Sequence, residues 1–256
     1  MNASLERVLG SLERGNGPAH AQIEERLAEA IASGNLGPGE RLPPEREMAG
    51  ELGVSRMTLR QALGSLARRG LVVRVRGRHG GTFVARPKIE RDMTALAGLT
   101  EQLRRQGHHA GARLLSTRIG GAGKRTAGAL QLEVGDQVCE VVRLRLSDGE
   151  PLAIERSLFP ASRFPGLLQC PLEGSLYELL EERYGEQPRR AVERLEPLVA
   201  DSREAEILQV KPGAPLLQVE RTAYDADGIP IEYARDLFRG DRTRVLVESS
   251  FDGERS

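Results

Sequence analysis

Residues 52 to 89 contain Arg56, Arg60, Arg68, Arg69, Arg74, Arg76, Arg78, Arg86 and Lys88 but no Asp or Glu. Cations this dense cannot share a core, so whatever this stretch folds into must spread them over a surface with its apolar residues behind them. The chain as a whole is neutral, with 37 basic and 37 acidic side chains. Residues 1 to 88 alone hold 14 basic and 9 acidic groups, a net +5 that leaves −5 for the rest. Such asymmetry points to one module for a polyanion and a second for something else.

Three helices are predicted in and before this stretch. Ile23, Leu27 and Ile31 stack on one face of a helix from about 19 to 33, closed by Gly34. After Pro43 and Pro44, Met48, Ala49 and Leu52 line a short second helix that Gly53 caps. Ser55 is the N-cap of a third, whose stripe is Leu59, Ala62, Leu63 and Leu66 and whose end is Gly70. Helix, three-residue turn and helix make the helix-turn-helix pattern. Measured from that stripe, Met57, Arg60 and Gln61 point outward, with Arg56 at the edge. The first turns of such a helix read base edges, and Arg and Gln suit guanine and adenine.

The run LVVRVRGRHGGTFVA alternates and pivots on Gly77 and Gly80-Gly81, which predicts two short strands with a tip bearing Arg76, Arg78 and His79. Glycines there let the backbone approach a phosphate or enter a narrow groove. A lone basic helix is ordinarily a solvated face. Here helix-turn-helix, wing and exclusion of acid coincide.

From Gln22 to Ala85 the chain resembles the GntR-type bacterial transcription regulators, whose winged-helix signature is matched by QIEERLAEAIASGNLGPGERLPPEREMAGELGVSRMTLRQALGSLARRGLVVRVRGRHGGTFVA. The resemblance implies that Arg46 contacts phosphate and base at the start of the second helix, and that Ser55, Arg56, Thr58 and Arg60 form the reading face. It makes Gly77 and Gly81 the wing tip that enters the minor groove. The His79-Gly80-Gly81 tip departs from the shorter Gly-x-Gly that is usual in the family.

A length of 256 residues accommodates two domains, each with enough chain for a core. Cys139 and Cys170 match no metal spacing and no HExxH or CxxC accompanies the four histidines, so neither metal nor cofactor is expected, and a reducing compartment fits. No apolar run approaches the roughly 20 residues of a membrane span, and Glu6 and Glu13 interrupt the start, so a cytoplasmic protein with no membrane partner is expected.

Beyond a linker near Arg86-Pro87-Lys88, the segments LTEQLRRQG, KRTAGALQL and GSLYELLEERYG look helical and the rest reads as strands and turns. Residues 138 to 159 align with 217 to 238 at an offset of 79, each an alternating strand, an Asp-Gly turn, a proline and a strand ending Leu-Phe. Two such hairpins imply one antiparallel sheet with pseudo-symmetry, and helices segregated onto it make an α+β domain. Arg143 and Arg145 face one way and Val142, Leu144 and Leu146 the other, an alternation that ordinarily reads as an exposed polar face. A three-residue loop at Asp148-Gly149-Glu150 places Arg143 across from Glu155, whereas a two-residue loop shifts the register by one and separates them. Two cations there without a partner would repel, and an anion would relieve them. GGAGKRT at 120 to 126 lacks the spacing of a phosphate-binding loop and reads as a surface turn, and His108-His109 as solvated.

This half resembles the ligand-binding domain of the HutC subfamily of those regulators, which shares its fold with chorismate lyase. The matching pieces are GLTEQLRRQG, VVRLRLSDGEPLAIERSLFP, GSLYELL and GIPIEYARDLFRGDR. The resemblance implies that Leu99-Thr100-Glu101, Arg143 and Arg145 hold a phosphate or carboxylate, with Glu155, Ser175, Tyr177 and Glu232 lining the rest. Glu101 and Phe238 stand where some relatives have hydroxyl side chains. The expected architecture is therefore α+β: a winged helix-turn-helix domain over 1–85, a linker over 86–92 and an antiparallel-sheet, chorismate lyase-like effector domain over 93–251. The expected protein is a dimeric repressor that binds double-stranded operator DNA and is released by a small anionic effector. The alternative is a lyase-like enzyme with a DNA-binding appendage, disfavoured because no Ser/His/Asp or Cys/His set stands out. Relatives with an aminotransferase-like domain need several hundred more residues and a Schiff-base lysine, against only Lys88, Lys124 and Lys211 here.

Overall fold

The computed structural model describes residues 17–75, 80–86, 88–94 and 96–249. Residues 76–79, with the expected wing-tip groups Arg76, Gly77, Arg78 and His79, and the C-terminal tail lie outside the described residues. The chain divides into two compact units, Met1–Pro87 and Lys88–Ser256.

In the first unit, α1 (Ala19–Ala32), α2 (Glu45–Glu51) and α3 (Arg56–Arg68) precede strands β1 (Val72–Val75) and β2 (Gly81–Val84). Ile23, Leu27, Met48, Leu59, Leu63 and Leu66 pack in one core with Val72 and Val84, and each such side chain removed from water contributes about 1.5 to 3 kcal/mol. The turn between α2 and α3 holds Gly53 at φ +63°, a left-handed conformation that glycine adopts without strain. Ser55 Oγ accepts the Thr58 amide at 3.0 Å and starts α3. β1 and β2 pair antiparallel, Val72 against Val84 and Val75 against Gly81. Gly81 therefore opens β2, paired with the last residue of β1. A Cβ there would lie 2.9 Å from Arg41 Nε, while Arg41 Nη2 donates to the Gly80 carbonyl at 2.7 Å.

The second unit is built on β4 (Ala110–Gly121), β5 (Gln137–Ser147), β6 (Glu150–Pro160), β7 (Arg190–Val199), β8 (Pro215–Tyr224) and β9 (Pro230–Arg239), an antiparallel sheet in the order β4-β5-β6-β9-β8-β7. The repeat is larger than its two hairpins. Each hairpin is preceded by an edge strand and a short helix, α5 (Lys124–Leu130) after β4 and α7 (Ser202–Leu208) after β7. Both helices end on a glutamine at φ +54°, Gln131 and Gln209. The expectation of strand or turn over these residues is corrected by helix α7. Its signal is the capping box between Asp201 and Glu204.

Helices α5 and α7 cover one sheet face, against Leu158 and Tyr233 and against Leu144, Ile154 and Leu237. Helices α4 (Leu99–Arg105) and α6 (Leu176–Tyr184) cover the other, with Leu103 against Phe238 and Leu180 near Phe159. A separate parallel pair joins β3 (Ile89–Asp92) to β10 (Thr243–Leu246). Residues 89–92, expected in the linker, thus form a strand of the second unit, because a pairing distant in sequence captures them.

Candidate functional site

On the first unit, Arg46 lies exposed on the first turn of α2, and Arg56, Met57, Arg60 and Gln61 lie exposed on α3, with Met57 72% open to solvent. Thr58 is half-buried and its hydroxyl meets Ser55 Oγ at 2.9 Å, so both residues shape the helix start. Arg60 is not free: its Nε donates to Glu45 Oε2 at 2.7 Å, and Glu45 Oε1 accepts from Arg74 of β1. Burial raises the Glu45 carboxyl, but the hydrogen bonds and charges of Arg60 and Arg74 outweigh that and hold it below its usual range. One acid from α2 thereby aims two cations, one on the helix and one on the wing strand. The acid-free stretch hid this contact, since the acid lies seven residues before it.

On the second unit, Arg143 and Arg145 are 2% and 3% exposed, against the polar-surface reading, because α4 and the segment before α6 cover that sheet face. Nor do they lack a partner. Glu155, itself 7% exposed, lies between them: Arg143 donates Nε at 3.2 Å and Nη2 to Oε1, and Arg145 donates Nη1 to Oε2 at 2.7 Å. Arg143 Nη1 also donates to the carbonyls of Leu172 and Gly174, each at 2.7 Å, and Arg145 Nη2 donates to Thr100 Oγ1 at 2.7 Å. Burial would raise the Glu155 carboxyl, yet the two guanidinium charges hold it well below the usual carboxylate range.

The register that joins Arg143 to Glu155 does not come from a three-residue loop. Asp148 and Gly149, at φ +54° and +80°, form a two-residue turn whose two positive φ angles match type I′. The register shift just before it, where Arg145 faces Ala153 and Leu146 faces Pro151, leaves Leu152 as an extra residue and restores the pairing. The second hairpin has the same device, with Ala223 opposite Glu232 and Tyr224 opposite Pro230. Asp148 also takes His108 Nδ1 at 2.7 Å, so that histidine is partnered.

Thr100, Arg143, Arg145, Glu155, Ser175, Tyr177 and Glu232 meet, with Leu99, around a cavity of about 30 Å³. Glu232 accepts Tyr177 Oη at 2.7 Å and Ser157 Oγ at 2.8 Å, and Arg221 Nε lies 3.3 Å away. Ser175 caps α6 through the Glu178 amide at 3.3 Å. Two expected residues are elsewhere. Glu101 pairs with Arg105 one turn along α4 and faces a neighbouring cleft, so it does not oppose an anion at the arginines. Phe238 is core, and its ring carries Arg91. Arg221 and Ser157 were missed, although Val219, Arg221 and Ala223 alternate inward as Val141, Arg143 and Arg145 do.

A cationic helix-turn-helix unit joined to a sheet unit with a buried charged cluster defines a DNA-binding regulator with a separate second module. The chain belongs to the GntR family: residues 19–84 match bacterial regulatory proteins of the gntR family, and residues 105–244 match the UTRA domain. This is the combination that the HutC resemblance implied. The chain is 38% identical over 226 residues to the HTH-type transcriptional repressor NagR of Bacillus subtilis, covering 88% of this chain and 92% of NagR. It is 30% identical over 227 residues to the mannosyl-D-glycerate transport/metabolism system repressor MngR of Escherichia coli, covering 89% and 94%. The crystal structure of PhnF from Mycobacterium smegmatis superposes with a TM-score of 0.65 at 34% identity, over 90% of this chain and 98% of PhnF. The protein is a transcriptional regulator and not an enzyme. No helix among the described residues is long and apolar enough to cross a membrane.

Proposed function

We propose that the protein is a repressor that binds its operator as a dimer, reads it with Arg46, Arg56, Arg60 and Gln61, and is released when a sugar phosphate or carboxylate reaches Arg143 and Arg145. The observation that carries the effector reading is the buried triad: two guanidinium groups share one carboxylate, leaving a net +1, and Arg145 Nε has no hydrogen-bond partner among the described residues. Planar guanidinium forks pair with carboxylates and phosphates bidentately. MngR, whose name includes a glycerate, supports a ligand with a carboxylate.

A cavity of about 30 Å³ holds about one or two waters, so an effector must displace the Thr100 or Tyr177 side of its wall. That displacement gives the ligand different affinities for two conformations, which release from DNA requires. An adjoining cleft of about 540 Å³ shares Gly98, Ser175 and Tyr177 with the cavity and takes the rest of the molecule.

Gel-shift titration against an operator selected from random DNA tests both halves, and two chains per operator is the expected stoichiometry. Arg60→Ala should weaken operator binding by about 1 to 3 kcal/mol and leave random DNA nearly unaffected. Equal weakening of both would remove α3 as the reader. Arg145→Lys keeps the charge but loses the fork, so it should bind operator as the wild type does and need at least about tenfold more effector for release. The effector for this titration is found by a thermal-shift screen, in which a ligand at 100 times its Kd adds about 2.7 kcal/mol. A normal response by Arg145→Lys would move the effector site elsewhere.

A further inference from the structure

The inward face of β3 carries Ile89, wholly buried, and two residues later Arg91, 3% exposed, where strand alternation calls for an apolar side chain. Arg91 Nε and Nη1 have no hydrogen-bond partner among the described residues. Its Cζ sits 5.1 Å from the centre of the Phe238 ring. That contact satisfies no N–H, and burying guanidinium donors without acceptors is unfavourable. Burial, and then the charge of Arg221, pull its pKa below the usual arginine value.

Arg91 lines a pocket of about 180 Å³ with Gln102, Tyr177, Arg190, Glu193 and Arg221. Gln102 Nε2 is committed to the carbonyls of Asp92 at 3.1 Å and Ala97 at 2.9 Å, while its Oε1 is buried without a partner among the described residues. Arg190 lies over the Tyr224 ring at 4.1 Å, at the exposed side. Arg221 is shared with Glu193 at 3.5 Å and Glu232 at 3.3 Å, so Arg91 is the lining cation with unmet donors. Of the charged groups in the wall, three arginines outnumber Asp92 and Glu193.

We propose that this pocket, which shares Tyr177 and Arg221 with the wall of the cavity at Arg143 and Arg145, is a second anion site that takes a carboxylate or phosphoryl oxyanion against Arg91 with Arg190 at the rim. A hydroxyl or amine on the same ligand donates to Gln102 Oε1. The oxyanion supplies the acceptors that Nε and Nη1 lack, and the donor completes Gln102. Arg91 lies on the first element after the unit boundary at residue 87, so occupancy bears on the strand that leads out of the domain. Because Tyr177 and Arg221 stand between the two sites, the Arg145→Lys variant is what separates binding here from binding at the effector cavity.

Calorimetric titration of the full chain with inorganic phosphate, and separately with acetate, tests it and tells the two oxyanions apart. One equivalent of at least one of them should bind the wild type. Arg91→Met should lose that equivalent, Arg190→Ala should weaken it about tenfold, and Arg145→Lys should retain it. Without anion, Arg91→Met should melt no lower than the wild type, because an apolar side chain of similar length replaces an underpartnered buried cation. Lower melting with unchanged anion binding would make Arg91 purely structural and overturn the site. Binding of neither anion by the wild type, an unchanged affinity in Arg190→Ala, or loss of the same equivalent in Arg145→Lys would also overturn it. Arg190→Ala, at an exposed position, keeps the test decisive if Arg91→Met does not fold.

Discussion

Replacing Glu155 with alanine is expected to destabilise the sheet unit by about 3 to 5 kcal/mol, the usual cost of removing one member of a buried charged cluster. Among the described residues Glu155 is the one acid that hydrogen-bonds both Arg143 and Arg145, and truncation leaves two adjacent cations in a site with almost no access to water. Its carboxyl is held below the usual range, so the stability it contributes is present above its unfolded pKa and is lost as pH falls through the folded value. Glu155→Gln keeps an acceptor and should cost less. The triple change Arg143→Met, Glu155→Leu, Arg145→Met should cost little, because it removes the buried charges together. All four tyrosines, Tyr177, Tyr184, Tyr224 and Tyr233, lie in this unit and there is no tryptophan, so urea unfolding followed by tyrosine fluorescence reports on it specifically. A loss below about 1 kcal/mol for Glu155→Ala would show that the triad is already solvated.

Asp236 is expected to act in the opposite sense. It stands directly across from Glu155 in the sheet, with Arg221 Nη1 at 3.6 Å and with Oδ1 unpartnered among the described residues. Burial pushes its carboxyl up to about 7, the Arg221 charge opposing and the charges of Glu155 and Glu232 assisting. Between its ordinary value near 3.8 and about 7, the folded protein holds a proton that the unfolded chain has released, so stability falls as pH rises through that window. Asp236→Asn removes the titration. The variant should be more stable than the wild type at pH 8 by on the order of 4 kcal/mol, with the gap shrinking steadily toward pH 4. Urea unfolding of both proteins at several pH values measures this, and a gap independent of pH would show that Asp236 is ionised throughout.

Both predictions depend on a charged row that strand alternation half revealed. The alternation of VVRLRL placed Arg143 and Arg145 on one face, yet it could not say whether that face meets water or α4. Burial of a strand face is decided by what packs on it, and the covering residues Leu99, Thr100 and Leu103 lie some forty residues away in sequence. The Arg143–Glu155 pairing was legible only as one of two registers. A bulge at Leu152 selected it, and a bulge leaves no compositional signature. Arg60 shows the same limit on the DNA-reading unit. Helical period put it outward, but its ion pair with Glu45 requires the angle between α2 and α3, which packing of Met48 against the α3 leucines sets.

What the sequence determined by itself is whatever follows from local periodicity and turn chemistry. Those signals place the three helices with Ser55 and Gly53 between them, the two wing strands, and a doubled hairpin that closes one antiparallel sheet. What only the tertiary structure decided is the partnership of charges: Glu45 between Arg60 and Arg74, Glu155 between Arg143 and Arg145, Arg91 over Phe238, and residues 89–92 captured as a strand by 243–246. The physical reason is range. Helix and hairpin patterns are written within a few residues of one another, whereas whether a charge is solvated, paired or left with unmet donors depends on groups that meet only when distant segments pack.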